Sequence, residues 1–578
     1  MIKCFFFLIS LLTCYQLITS CANVSPPSGG PRDTIPPIRI TTIPENKITN
    51  YKGKTINMEF DERVRTNNIK DQLIITPLIE FDYEYILKKN NIKLIFEESF
   101  QDSTTYTLNF RESIQDITEG NPTRDNKFTF STGSFIDSMS ISGYIKDLLT
   151  YDTLENIVVG LYRAEDTVTI FNGSPYYFTE IEEDGSYLIE NIKNGSYLLY
   201  AFLDANKNLK LETNTEAYAF AKDTIQLDTG LFKKNIDLIR QDLTDLRILT
   251  SLASGKYYDI NFNKHIIEYY IHPINNDHQL FTNLAKETKT IRCYNNFSDI
   301  DSLQVAFTAY DSIQNQISDT VFVKFNKSQR KKDEFTIQIS PENNTSIEPL
   351  LYININFSKP ILTLNTDSIF IQYDTTKIMD IHDSLFVWND KKDKLSILIE
   401  IDKSKADTIL HHRIKLDKIK KDSLETIQKD TQIKKQVSKN KKDDSPKINK
   451  GLQLYFGTNS FLSADQDSSK SFGYNYKFIV PEEYGIQSIN ILTSYENFMF
   501  QLLSERFELI REIKNQKTIT MKNLKPGNYK IRVLIDENND GIWSPGNMIK
   551  RIEPEPVYIH PEKIIIRADW QTSLNLTF

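Results

Sequence analysis

Asp536-Glu537-Asn538-Asn539-Asp540-Gly541 places side-chain oxygens at alternate positions and ends in glycine. That D-x-N-x-D-G spacing lets alternate side chains converge on a hard cation while the glycine permits the turn, so Asp536, Asn538 and Asp540 are candidate calcium ligands. Two features weigh the other way. The twelfth position is Asn547, where a calcium loop normally supplies a bidentate glutamate, and the related stretch Asp204-Ala205-Asn206-Lys207-Asn208-Leu209 lacks both the third acid and the glycine. Asp and Asn side chains also bond turn backbone without a metal. The expectation is a hairpin tip, with calcium as the alternative and no other cofactor. The seven histidines include no H-E-x-x-H and no cysteine partner at zinc spacing. Cys293, in Ile291-Arg292-Cys293-Tyr294, has strand-like neighbours and reads as a buried small hydrophobe. No G-x-S-x-G elbow, phosphate-binding loop or dinucleotide fingerprint occurs. A β-rich hydrolase using two distant carboxylates leaves no local motif.

The remaining chemistry lies at Cys21. Residues 1–20 read as a secretory signal, with Lys3 at the charged start and an apolar stretch, Phe5 to Leu12, too short to span a bilayer. Leu17-Ile18-Thr19-Ser20-Cys21 resembles the bacterial lipobox, in which an aliphatic residue stands three before the cysteine. The resemblance implies cleavage after Ser20, a diacylglyceryl thioether on Cys21 and an acylated amine. One acyl chain binds a bilayer at only about 10⁴ M⁻¹, and each further buried CH₂ adds roughly 0.8 kcal/mol, so several chains make a permanent anchor. Ala22 follows the cysteine, which by resemblance to lipoprotein sorting rules implies the outer membrane and leaves periplasmic face or cell surface undecided. With the signal removed, Cys293 is the one remaining thiol besides Cys21, so no internal disulfide forms and the domains rest on packed cores. A net charge of −8 over 578 residues does not ask for nucleic acid.

These residues must be positioned by domains, and the length implies about four to five of ordinary size. Pro26, Pro27, Gly29, Gly30, Pro31, Pro36 and Pro37 make residues 21–37 a tether. The run Gly29-Gly30-Pro31-Arg32-Asp33-Thr34-Ile35-Pro36-Pro37 after a lipidated cysteine resembles Bacteroidota lipoproteins that carry an immunoglobulin-like domain directly afterwards. Period-two alternation then follows at Ile56, Met58, Phe60; Ile92, Leu94, Phe96; Tyr106, Leu108, Phe110; and Phe128, Phe130, the signature of an antiparallel sandwich.

Two pairs of distant segments match each other. Pro44-Glu45-Asn46 leading to Ile56, Met58, Phe60 and Asp61 is repeated as Pro341-Glu342-Asn343 leading to Ile353, Ile355, Phe357 and Ser358. Both resemble the bacterial Ig-like domain. Asn191-Ile192-Lys193-Asn194-Gly195-Ser196-Tyr197 is repeated as Asn523-Leu524-Lys525-Pro526-Gly527-Asn528-Tyr529, each followed by a strand ending in Asp-x-Asn. This module resembles the prealbumin-like sandwiches of carboxypeptidase regulatory domains. The comparison favours strand for the region of Phe500, Leu503, Phe507 and Ile510, where a helical stripe is the alternative. The expected order is therefore an Ig-like domain at 38–134, a prealbumin-like sandwich at 138–242, a sandwich of uncertain type at 243–333, an Ig-like domain at 334–480 and a prealbumin-like sandwich at 484–578. Residues 411–450, rich in Lys, Asp, Gln and Ser, are expected to form a disordered insert in the fourth.

The fold class expected is all-β, a tandem array of sandwiches. The expected function is that of a non-catalytic binding or scaffold lipoprotein of the cell envelope, held on the membrane by its lipid and serving an envelope protein or glycan. The alternative is an envelope hydrolase or glycan-processing enzyme with its site in 243–333, where a cleft with facing carboxylates would favour catalysis.

Overall fold

The alternating segments fold as strands because a pleated strand sends successive side chains to opposite faces. Thr55–Phe60 buries Ile56, Met58 and Phe60 and turns Thr55, Asn57 and Glu59 toward the other face. In this computed structural model the chain is all-β, built of many small sheets. The structure describes residues 33–578 apart from 213–215, 229, 255, 275–278, 297–301, 327–331, 374–375, 407, 410–411, 413–414 and 416–450. Cys21, most of the tether and nearly all of the Lys-rich insert therefore lie outside the described residues.

Contacts group the chain into two compact units. One comprises Met1–Ile145, Glu155–Lys210 and Asp223–Ile236, and the other Lys146–Leu154, Leu211–Lys222 and Asp237–Phe578. In the first unit, strands Arg39–Ile43, Thr55–Phe60, Asn91–Phe96 and Tyr83–Lys88 form a sheet in that order, facing the sheet of Ile74–Thr76, Thr105–Asn109 and Lys127–Ser131. The core between them is aromatic. Phe100 lies 4.8 Å by ring centroid from each of Phe96, Tyr106 and Phe130, in edge-on or tilted contacts.

The Pro-Glu-Asn motif has one job in both copies. Asn46 Oδ1 accepts the Thr129 N–H at 2.9 Å and Asn343 Oδ1 accepts the Asn475 N–H at 2.8 Å, each fastening the opening loop to a late strand. The polar residue after the buried Phe closes the other end. Asp61 Oδ1 accepts the Ile38 N–H at 2.8 Å, and Ser358 Oγ accepts the Thr336 N–H at 2.8 Å. Strand order also repeats, since Ile337–Ser340, Leu350–Phe357, Lys394–Glu400 and Phe386–Trp388 follow one another as their counterparts do.

The Gly-Tyr motif is equally consistent. Tyr197 donates its hydroxyl to the Lys193 carbonyl at 2.8 Å and Tyr529 donates to Lys525 at 2.7 Å, stapling the turn to the strand that leaves it. In both copies the module's first strand pairs antiparallel with the strand before the motif and parallel with a later one: Met139–Asp147 with Ser186–Ile192 and Leu231–Lys233, and Gly485–Leu492 with Thr518–Leu524 and Gln571–Thr577. The ambiguous region resolves as strands Phe498–Leu503 and Leu509–Lys514. Phe507 sits between them at φ +63°, a left-handed turn conformation that no helix accommodates.

Residues 243–333 form a four-stranded sheet, Ile248–Ser254, Tyr257–Phe262, Thr290–Tyr294 and Thr282–Ala285, over a three-stranded one, Glu268–Pro273, Ser302–Tyr310 and Gln316–Lys324. Ile260, Phe262, Ile291, Cys293, Val305 and Phe307 fill the space between. Glu268–Pro273 and Thr282–Ala285 are the terminal strands of their sheets, so among the described residues both leave an edge open.

Candidate functional site

The structure brings Asp536, Asn538 and Asp540 together at the tip that follows strand Gly527–Ile535, and it shows what their oxygens do. Asp536 is buried; its Oδ1 accepts the Asp540 N–H at 3.1 Å and its Oδ2 accepts the Gly541 N–H at 2.8 Å. Asn538 Oδ1 accepts the Asp540 N–H at 2.8 Å, and Asp540 Oδ1 accepts the Ile542 N–H at 2.9 Å. The earlier copy reproduces the pattern. Asp204 accepts from Asn208 at 2.9 Å and Leu209 at 3.1 Å, Asn206 accepts from Asn208 at 3.1 Å, and Asn208 accepts from Lys210 at 2.8 Å. The backbone matches too, with Lys207 at φ +59° and Asn539 at +61°, and Leu209 at +57° and Gly541 at +88°.

The later loop has one anchor that the motif does not reveal. Glu555 is buried; its Oε1 accepts the N–H groups of Glu537 at 3.0 Å and Asn538 at 3.1 Å, and its Oε2 accepts that of Ser544 at 2.7 Å. Trp543 Nε1 donates to the Glu555 carbonyl at 3.1 Å. The oxygens of Asp536 and Asn538 and the Oδ1 of Asp540 are thus engaged by backbone donors, while Asp540 Oδ2 accepts from Asn538 Nδ2 at 3.1 Å, and among the described residues no group of three or more His, Cys, Asp or Glu side chains is placed to hold a metal ion. The donor set makes a hairpin tip through its own hydrogen bonds.

Cys293 is fully buried in its sandwich core, and burial pushes its thiol well above the ordinary range, as suits packing rather than nucleophilic chemistry. Its neighbour Arg292 faces a different environment. Arg292 grips Asp259 through Nε at 2.8 Å and Nη2 at 2.9 Å, also pairs with Asp333, and stacks its guanidinium 4.2 Å from the Tyr257 ring. Tyr257 in turn donates its hydroxyl to Asp465 at 2.6 Å. The buried Lys359 meets Asp465 at 2.9 Å and also bonds Asp467. Lys332 approaches the same two carboxylates at 3.4 and 3.3 Å. Burial opposes the charge on Asp467, but the hydrogen bond and charge of Lys359, joined by Lys332, hold its carboxyl below the usual range. This network joins the 243–333 sandwich to the segment 334–480 that follows it.

The Asn that opens each Gly-Tyr motif makes a related join. Asn191, at φ +57°, donates Nδ2 to Thr107 Oγ1 at 2.9 Å and to Thr129 Oγ1 at 3.4 Å, while Arg111–Glu180 and Lys127–Glu190 pair alongside. Asn523, also at φ +57°, bonds Glu348. Each copy therefore uses the equivalent Asn to touch the segment that contains the Pro-Glu-Asn motif before it.

The central sandwich carries a cleft of about 950 Å³. It lies between the open edges Glu268–Pro273 and Thr282–Ala285 and meets the loop Asn389–Lys394 of the next segment. Glu268, Asp390 and Asp393 line it. Glu268 accepts the Tyr270 hydroxyl at 2.5 Å and Asp393 accepts Asn389 Nδ2 at 2.6 Å.

The family described as bacterial Ig-like domain matches residues 33–132, in agreement with the sandwich at that position. No curated protein matches the chain. Among solved structures, the chain is similar to BcpA, the major pilin subunit of Bacillus cereus, at 9% identity over 76% of this chain and 99% of that one, with a TM-score of 0.13. It is similar to domains 1–6 of the surface layer protein SbsC at 8% identity over 92% of this chain and 67% of that one, with a TM-score of 0.14. It is also similar to the Bacteroides ovatus protein SGBP-B, solved with a mixed-linkage heptasaccharide, at 8% identity over 74% and 94% of the two chains, with a TM-score of 0.16. Scores of this size carry no inference about function.

Proposed function

We propose that this chain is a lipid-anchored, non-catalytic binding or scaffold protein of the cell envelope, fixed at Cys21 on the outer membrane and serving a protein or glycan partner. The observation that supports this reading best is the way its sandwiches are joined. Neighbouring sandwiches within a unit are fastened by buried and part-buried polar contacts such as Lys359 with Asp465 and Asn191 with Thr107. Contacts of that kind set the orientation of one sandwich on the next, which a protein that displays surfaces needs and a string of independent beads does not. The test is export with and without the anchor. Wild-type protein should take up radiolabelled palmitate and sediment with outer membranes, whereas Cys21→Ser should do neither. Unlabelled wild-type protein in the soluble fraction would sink the anchor.

The catalytic alternative keeps one supporting observation, the acid-lined cleft in the central sandwich. Incubation of the purified full chain with envelope and plant polysaccharides would favour that reading if the chains shortened.

A further inference from the structure

The cleft in the central sandwich has an unusual cation. Lys391 lies with Nζ 3.5 Å from the centroid of the Tyr269 ring, half-buried, and forms no ion pair or hydrogen bond among the described residues. Burial pulls its pKa below the ordinary lysine range. Asp393, Glu268 and Asp390 act on it through space and oppose that shift, but among the described residues none of them bonds it; Glu268 accepts from Tyr270 and Asp393 from Asn389. The surface beneath the ammonium is firm. Tyr269 is buried and its hydroxyl shares a hydrogen bond of 3.1 Å with Thr282 Oγ1, bridging the two open edges. A partly desolvated ammonium resting on an aromatic face gains most from one carboxylate, through a charge-assisted hydrogen bond.

The second feature is Tyr270, 58% exposed on the same edge strand. Its hydroxyl is committed to Glu268 at 2.5 Å, and Tyr310 meets it edge-on at 6.4 Å and 87°. An exposed ring that is held in place, with its polar end satisfied, offers an apolar face to a flat apolar surface such as the C–H face of a pyranose. The cleft volume is in the range of small-ligand sites, roughly 300–1,000 Å³. Glu268, Asp390 and Asp393 also line the cleft, so a ligand carboxylate is favoured there only where it meets Lys391.

Resting on the binding reading above, we propose that this cleft binds a carboxylate-bearing oligosaccharide, with Tyr270 stacking on a sugar ring and Lys391 pairing with a uronate carboxylate. The probe is hexagalacturonate, titrated calorimetrically into the purified full chain, with cellohexaose and hexaglutamate as comparisons. Hexagalacturonate should bind well below about 1 mM, a weak affinity on the usual scale, and cellohexaose should bind at least tenfold more weakly. Lys391→Met, which keeps the stem on Tyr269, should weaken hexagalacturonate at least tenfold and leave cellohexaose unchanged. Tyr270→Ala, at an exposed position that leaves the core intact, should weaken both sugars. Failure of hexagalacturonate to bind, or binding indifferent to both variants, would overturn the assignment. So would equal binding of hexaglutamate with the same dependence on Lys391, which would give the cleft to an acidic peptide pairing with the open strand. Either result leaves the wider binding reading standing. Shortening of the hexagalacturonate would instead overturn that reading.

Discussion

Replacing Lys359 by methionine tests whether the central sandwich and the segment 334–480 that follows it act as one piece. Lys359 is 1% exposed, and its ammonium touches Asp465, Asp467 and, at 3.4 Å, the Tyr257 hydroxyl. Methionine keeps the volume and removes the charge, leaving the carboxylates of Asp465 and Asp467 side by side with the partly exposed Lys332 as their remaining cation. Breaking a buried pair from one side costs about 3–5 kcal/mol, because the surviving charge stays desolvated. Lys332 offsets part of this, so the expected loss is about 2–4 kcal/mol in urea unfolding of the transition that reports this unit. Adding Asp465→Asn and Asp467→Asn should return most of the loss, since neutral amides do not need the cation. The pH dependence has a defined sign. Asp467 is held below its ordinary value of 3.8, so its contribution is present above that value and fades as pH falls through the lower folded value. Lys359→Met should therefore flatten stability against pH in the acid range below about 4. A loss under about 1 kcal/mol, the size of an exposed pair, or an unchanged acid limb, would refute the reasoning.

Three further outcomes follow from single contacts. Gly541→Ala should cost about 1–2 kcal/mol in the melting of the full chain, because φ is +88° there and no neighbouring atom approaches the added methyl, so backbone strain acts alone. Glu555→Ala should cost about 2–3 kcal/mol by releasing three part-buried N–H groups from a buried carboxylate, whereas calcium or a chelator should leave the wild-type melting temperature unchanged; a rise of several degrees with calcium would favour the metal reading of Asp536, Asn538 and Asp540. Cys293 should resist thiol reagents in the native protein and react on unfolding, and rapid native labelling would contradict its burial.

The repeated motifs were legible in the sequence because each works over a short range or through alternation. Ile56, Met58 and Phe60 declare their face by period two, and Tyr197 bonds a carbonyl only four residues away. The region around Phe500 was less plain, since Phe500, Leu503, Phe507 and Ile510 also fit a helical spacing. Pairing of Phe500 with Ile513 across the hairpin decides it, a relation that local propensity does not contain. Asp536 was visible as a loop residue, but Glu555 was not, because nothing near it marks it as the partner of amides 17 and 18 residues earlier. Lys359, Asp465 and Tyr257 are separated by more than one hundred residues, and each alone is an ordinary Lys, Asp or Tyr. The cleft beside Tyr270 depends on which strands end their sheets, and strand order is a property of topology rather than of composition.

The most direct test of the proposed role is capture of the full lipidated chain from crosslinked envelopes, run beside incubation of the purified protein with polysaccharide. The binding reading expects a reproducible partner, protein or glycan, together with undegraded polysaccharide. No reproducible partner, together with shortened polysaccharide, would contradict it and make the chain an enzyme.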